Sequence, residues 1–109
     1  MDNTIMHTML FDFYGDLLTD KQREYYDLHF NSDLSLQEIA EQSGVSRQAV
    51  WDIIRRGEQS LMEIEAKTGL VARAERRRRS IEEMEEIISR LSDCSEKQLL
   101  LKKIAELND

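Results

Sequence analysis

Proline is absent from this chain of 109 residues, glycine occurs only four times and cysteine once. Without proline, no position lacks a backbone donor or clashes with a preceding helical turn. Leu, Ile, Glu, Arg, Gln and Lys dominate instead, and these side chains lose little freedom on entering a helix. The composition therefore predicts an all-α fold of five or six helices. A lone Cys94 has no internal disulfide partner, which fits a reducing compartment, and it is expected as a small, partly buried linker residue. The opening MDNTIMHTMLF carries neither the basic flank nor the apolar run of a secretion signal, and no segment is long and apolar enough to cross a bilayer. A cytoplasmic protein without membrane insertion is expected.

Chemistry-bearing constellations are equally scarce. His7 and His29 lie among Met, Leu and Phe, with no further histidine or cysteine at ligand spacing, so core or surface roles are expected and no metal or other cofactor. There is no glycine-rich phosphate loop and no evident nucleophile with its base, so the reading is not an enzyme. The length allows one ordinary domain, or a small domain with an extended arm.

Charge is present in quantity and unevenly placed. The formal net charge is −7, which argues against indiscriminate coating of nucleic acid, because neutralised phosphates supply most of non-specific affinity. By segment, Met1 to Gly44 sums to −7, Val45 to Arg79 to +4, and Ser80 to Asp109 to −4. One stretch alone is positive, as expected if a single face meets phosphate.

That stretch begins inside the most informative part of the chain, SLQEIAEQSGVSRQAVWDIIRR, from Ser35 to Arg56. Two short helices across a tight turn need apolar residues at fixed offsets and a small residue at the reversal. Ile39 and Ala40 supply a core edge, and Gly44 accepts positive φ at the turn. Val45 is expected to plug that turn, with Val50, Ile53 and Ile54 closing the core. Ser35 with Glu38 reads as a capping box, and Ser46 as the N-cap of the second helix. Arg47, Gln48, Trp51, Asp52 and Arg55 fall on the outward face, which helix-turn-helix proteins place in the major groove. A helical hairpin that binds nothing would also need a glycine and apolar residues, so this bland reading stands beside the functional one.

Around the motif, Thr4 is expected to cap a helix to about Leu18, and Thr19 with Gln22 to open a second through Phe30. The motif's second helix is predicted to continue through Leu61 and Ile64 to about Thr68, ending at Gly69. Gly57 would then sit in its interior, at roughly 1 kcal/mol relative to alanine, for the sake of a close backbone contact or a kink. Beyond it, Leu70, Ala74, Arg77, Ile81, Met84, Ile88 and Leu91 form a heptad seam. Ser95 with Gln98 is expected to open a last helix. The two would fold back as a hairpin, or the seam would pair with a second chain. The division expected is 1–69, a helical domain holding the motif, and 70–109, an arm or hairpin and candidate dimerisation element. A homodimer is expected, with the seam from Leu70 to Leu91 or the stripe of Leu61 and Ile64 supplying much of the contact, since small motifs of this class gain affinity by doubling.

Arg73 and the run Arg76, Arg77, Arg78 and Arg79 permit two readings. Either they pair with Glu75, Glu82 and Glu83 on a solvated face, or they bind outward, as a secondary phosphate patch on RNA or DNA, for which the guanidinium fork is suited, or as a contact for an acidic partner.

Leu18-Thr19, Gln22, Ser35, Glu38-Ile39-Ala40, Gly44-Val45-Ser46-Arg47 and Val50 resemble the fourth region of bacterial sigma factors, whose helix-turn-helix reads a promoter element. The chain has no room for the other sigma regions. A fuller resemblance, carried by Asp12-Phe13-Tyr14-Gly15, Tyr25-Tyr26 and the unbroken Gly44 to Val50, is to the YlxM family of small helical proteins. That resemblance implies a sigma-like helix-turn-helix fold, which the seam and the start at Ser95 extend by a long helix and a C-terminal helix. Its gene neighbourhood implies a regulatory link to the signal recognition particle. Two functions are accordingly expected. In one, the chain is a DNA-binding regulator, with Arg47 and Gln48 on base edges, Arg55 and Arg56 on phosphates, and Ser46 and Trp51 on the same surface. In the other, it contacts the protein or RNA of the signal recognition particle, with Trp51 and the arginine tract as adhesive features.

Overall fold

The computed structural model describes residues 3–108. All regular structure among them is helical: α1 (Asn3–Tyr14), α2 (Asp20–Tyr26), α3 (Leu36–Ser43), α4 (Arg47–Thr68), α5 (Leu70–Ser89) and α6 (Ser95–Leu107). The chain divides into two compact units, one reaching to Val71 and one starting at Ala72.

In the first unit, α4 is the central element and packs against α1, α2 and α3. Its inward row, Val50, Ile54 and Leu61, is fully buried, among Leu10, Tyr14, Leu18, Tyr25, Tyr26, Ile39, Ala40 and Val71. Ile53 and Ile64 are only partly buried at the edge of this core. The core line thus runs through Ile54 rather than Ile53, because Ile54, four residues beyond Val50, stands directly above it on the helix surface. Gly57 belongs to the same inward row, and α4 passes it without interruption. A Cβ there would stand 3.4 Å from Gln22 Cβ, an ordinary contact distance to a side chain, so neither the expected kink nor a close backbone contact requires the glycine.

The local signals act largely as the sequence predicts. Thr19 and Gln22 form a reciprocal capping box at α2, and Ser35 and Glu38 another at α3. Ser46 Oγ accepts the Ala49 amide at 3.1 Å and caps α4. Gly44 and Gly69 close α3 and α4 in the left-handed conformation, at φ 69° and 65°.

Several expectations are corrected. Thr4 lies within α1 rather than capping it, and α1 stops at Tyr14, before a 3₁₀ turn over Gly15–Leu17. Val45 does not plug the motif's turn. Its side chain is 41% exposed, and only its amide is engaged, donating to the Ala40 carbonyl at 3.2 Å beside the Gly44 amide at 3.0 Å. The reversal is closed by these backbone bonds. After Tyr26 the second helix widens into a π turn over Asp27–Asn31. Cys94 is exposed, and it, not Ser95, caps α6, its Sγ accepting the Lys97 amide at 3.4 Å.

In the second unit, α5 and α6 form a hairpin. Ile81 and Ile88 of α5 are buried with Ile104 of α6, and Leu101 packs alongside. Arg77 Nη2 donates to the Leu107 carbonyl at 2.7 Å, placing a cation at the negative end of α6. The rest of the heptad seam is open: Met84 and Leu91 are 39% and 50% exposed.

Candidate nucleic-acid interface

Two fully buried residues one turn apart, Val50 and Ile54, fix the rotation of α4 and therefore the direction of its outer face. Arg47, Gln48, Trp51, Arg55 and Arg56 are all exposed. Arg47, Trp51 and Arg55 follow one another at four-residue steps, a rise of about 6 Å each. They form one row, with Gln48 beside it. Arg56 lies about 100° further round the helix from Arg55, so it borders this surface rather than sharing its centre.

Trp51 is 41% exposed. It lines, with Leu36, Arg47 and Gln48, a shallow groove of about 410 Å³ where the starts of α3 and α4 meet. On its other side it borders a second depression, with Arg55, Glu58, Gln59 and Met62. The indole therefore stands between the two depressions, in the first half of α4.

The polar groups are unequally committed. Gln48 Nε2 donates to Asp52 Oδ1 at 3.1 Å, an i, i+4 pair that pre-orients the amide and sets one acid beside the basic row. Ser46 spends its oxygen lone pair on the Ala49 amide and retains its hydroxyl hydrogen. Among the described residues, Arg47, Arg55 and Arg56 have no salt-bridge partner.

The arginine tract on α5 divides. Arg78 binds Glu75 through two hydrogen bonds, at 2.6 and 3.2 Å, and pairs with Glu82 as well. Arg79 stands 3.8 Å from Glu75, and Arg77 is on the Leu107 carbonyl. The Arg78 hydrogen bonds hold the Glu75 carboxyl below the ordinary carboxylate range, against the opposing effect of its own desolvation. Arg73 and Arg76 have no such partner among the described residues. The tract is thus not one uniform patch: three of its members are bound within the hairpin and two are free.

A polar junction that the sequence did not announce holds the end of α4. Tyr14 donates to Glu65 Oε1 at 2.6 Å and takes the Thr68 hydroxyl hydrogen at 2.5 Å. The same carboxylate oxygen accepts the Val71 amide at 3.0 Å, so Glu65 caps the first turn of α5 where Gly69 turns the chain. Near the start of α1, Tyr26 Oη meets His7 Nδ1 at 2.9 Å, and the His7 ring stacks on Phe30 with centroids 4.0 Å apart. Burial, and secondarily the charge of Glu58, raise the Tyr26 hydroxyl above its usual range. No cluster of three or more His, Cys, Asp or Glu fit to hold a metal occurs among the described residues, and no helix is long and apolar enough to cross a membrane.

Capped α3, a left-handed Gly44 and a long α4 with a polar outer row define a helix-turn-helix protein. The comparison with known families agrees. Residues 1–106 match the family UPF0122, described as "Putative helix-turn-helix protein, YlxM / p13 like". The chain belongs to this family. It is 42% identical over 107 residues to a UPF0122 protein of Halalkalibacterium halodurans, covering 98% of each chain. It is 46% identical over 109 residues to one of Geobacillus kaustophilus, covering 99% of each. With one of Symbiobacterium thermophilum it shares 49% identity over 82 residues, 75% of this chain and 77% of the relative.

Proposed function

We propose that the protein is a cytoplasmic, non-enzymatic regulator that binds specific double-stranded DNA by inserting the first half of α4 into the major groove. The observation that carries this reading is the exposed row of Arg47, Gln48, Trp51 and Arg55 on a helix whose rotation is locked by Val50 and Ile54. Arg47 reaches guanine edges and Gln48 adenine edges, the pairings their donor geometry favours. Ser46, through its hydroxyl hydrogen, and Arg55 and Arg56, through their guanidinium groups, hold the phosphates that set register. Trp51 packs its indole on a thymine methyl.

The test is selection of bound duplexes from a random pool with the full chain, followed by titration of the selected site with Arg47→Ala and Gln48→Ala variants. Each variant is expected to keep the parent's thermal midpoint and to lose about 1–3 kcal/mol of binding per base recognised by the truncated side chain. Variants that bind the selected site as the parent does would overturn the groove assignment.

A second reading rests on Trp51. An indole 41% exposed beside an open groove is the residue type most enriched at protein interfaces. In this reading the surface contacts the GTPase or RNA of the signal recognition particle, the link that the family resemblance implies. A Trp51→Ala variant that loses a captured signal recognition particle component while retaining its selected DNA would favour this reading. Loss of DNA with the component retained would dismiss it for this surface.

A further inference from the structure

We propose that the α5–α6 hairpin is one half of an antiparallel, two-fold symmetric dimer, closed against a second copy through a single apolar face. This inference is independent of what α4 binds.

The second unit has fewer than 40 residues, and its buried core consists of Ile81, Ile88 and Ile104 with Leu101 alongside. Units of this size rarely stand on one small core without a metal, a disulfide or a further chain. Cys94 is the only cysteine of the chain, and no metal cluster is found among the described residues. A second copy docked on the hairpin would supply the burial that this small core lacks, and the exposed side chains show where it docks.

Met84 follows the buried Ile81 of α5 by three residues, and Ile87 precedes Ile88 by one. Helical geometry places both on the same flank of the seam. On α6, Leu100 and Leu107 stand at −4 and +3 from Ile104, which is the same rotational sense. Because the two helices of a hairpin run in opposite directions, the same rotational sense on both points to the same side. Met84, Ile87, Leu100 and Leu107 therefore form one face, with exposures of 39%, 60%, 46% and 46%. Four large aliphatic side chains gathered on one face mark an interaction surface rather than scattered exposure.

Charge selects the occupant. The end of the hairpin away from its turn carries Arg73 and Arg76 free of salt bridges, whereas the turn end carries Glu82, Glu83, Glu85, Glu86, Asp93 and Glu96 against Arg90 and Lys97. A parallel copy would set like charge beside like. An antiparallel copy brings the basic end of each hairpin to the acidic end of the other while the apolar faces meet, and such a self-complementary contact closes with two-fold symmetry.

Sedimentation of the full chain over a range of concentrations tests the association. The parent is expected to reach a dimer and stop there. Ile87→Glu with Leu100→Glu should give a monomer of unchanged helix content by circular dichroism. Orientation is tested by charge reversal. Arg73→Glu/Arg76→Glu and Asp93→Arg/Glu96→Arg proteins should each dimerise at least tenfold more weakly than the parent, and their equimolar mixture should recover parental association. That recovery also excludes misfolding as the cause of the weakening. A parent that stays monomeric at tens of micromolar overturns the proposal, as do dimers that survive the Ile87/Leu100 substitutions. Charge-reversed proteins that associate like the parent overturn the antiparallel arrangement.

Discussion

Gly57 of α4 faces the stem of Gln22, with the position of a missing Cβ 3.4 Å from Gln22 Cβ and 3.7 Å from its Cγ. Gln22 cannot swing away freely, because its amide oxygen accepts the Thr19 amide in the capping box of α2. The two residues thus set the spacing at which α4 crosses α2. The distances are those of ordinary van der Waals contact, so one methyl group fits and a longer side chain does not. Gly57→Ala should raise the thermal midpoint, by up to about 1 kcal/mol of helix propensity. Gly57→Leu should lower it, and thermal melts monitored at 222 nm compare the two.

Tyr26 is fully buried, with its hydroxyl against His7. Burial, and then the charge of Glu58, raise its hydroxyl above the usual value near 10. Its contribution to stability is fully present below that value and is lost as pH rises toward the folded one, because the unfolded chain releases the proton first. Ultraviolet titration should show a tyrosine step that resists ionisation until the fold gives way in alkali. Tyr26→Phe should remove this resistant step, and a resistant step that persists in the variant would assign it elsewhere.

Glu75 has the opposite sign. Its carboxyl is held below the ordinary range by Arg78, so its contribution is complete above the unfolded carboxylate value and is lost as pH falls through the folded one. Acid unfolding followed by circular dichroism should show a shallower pH dependence in Glu75→Gln than in the parent. Because the partner guanidinium is half exposed, added salt should narrow the difference.

On the proposed DNA surface, Asp52 places a negative charge beside the basic row and occupies the Gln48 amide. Asp52→Ala should tighten binding to unrelated duplexes, while changing stability by no more than about 0.5 kcal/mol for the absent i, i+4 bond. Binding isotherms at several salt concentrations separate this electrostatic gain from any change in sequence preference.

In the arginine tract, the free and engaged members should respond differently. Arg73→Gln and Arg76→Gln are expected to weaken self-association of the chain, most visibly at low salt, where contact with the acidic end of a second copy is least screened. Arg78→Gln should leave association unchanged and loosen α5 instead, visible as a lower melting temperature.

What could be read from the chain, and what could not, follows the range of each interaction. Thr19 with Gln22, Ser35 with Glu38, Ser46, Gly44 and Gly69 act on amides within a few residues, and their positions alone placed the start of α2 and both ends of α3 and α4. The outward face of α4 was legible for the same reason, since the apolar row opposite it has helical period. Val45 misled because its apolar side chain suggested burial, whereas the turn needed only its amide. The junction of Tyr14 with Glu65 and Thr68 spans more than fifty positions, and no local pattern announces such a meeting. The seam of α5 was visible as a period, yet period alone could not tell that Ile81 and Ile88 face α6 while Met84 and Leu91 face outward.

The π turn at Asp27–Asn31 gives the chain a place where its length can vary. The Ser32 amide reaches back five residues to the Asp27 carbonyl, and the Leu34 amide six residues to that of Leu28, so this turn holds one residue more than an α-helical turn would. Removing one residue there would relax the backbone to ordinary geometry, leaving the ladders of α2 and α3 each in their own phase. Insertions and deletions among relatives should therefore collect in this short interval between the second and third helices and avoid the tightly counted path from Ser35 to Ile54.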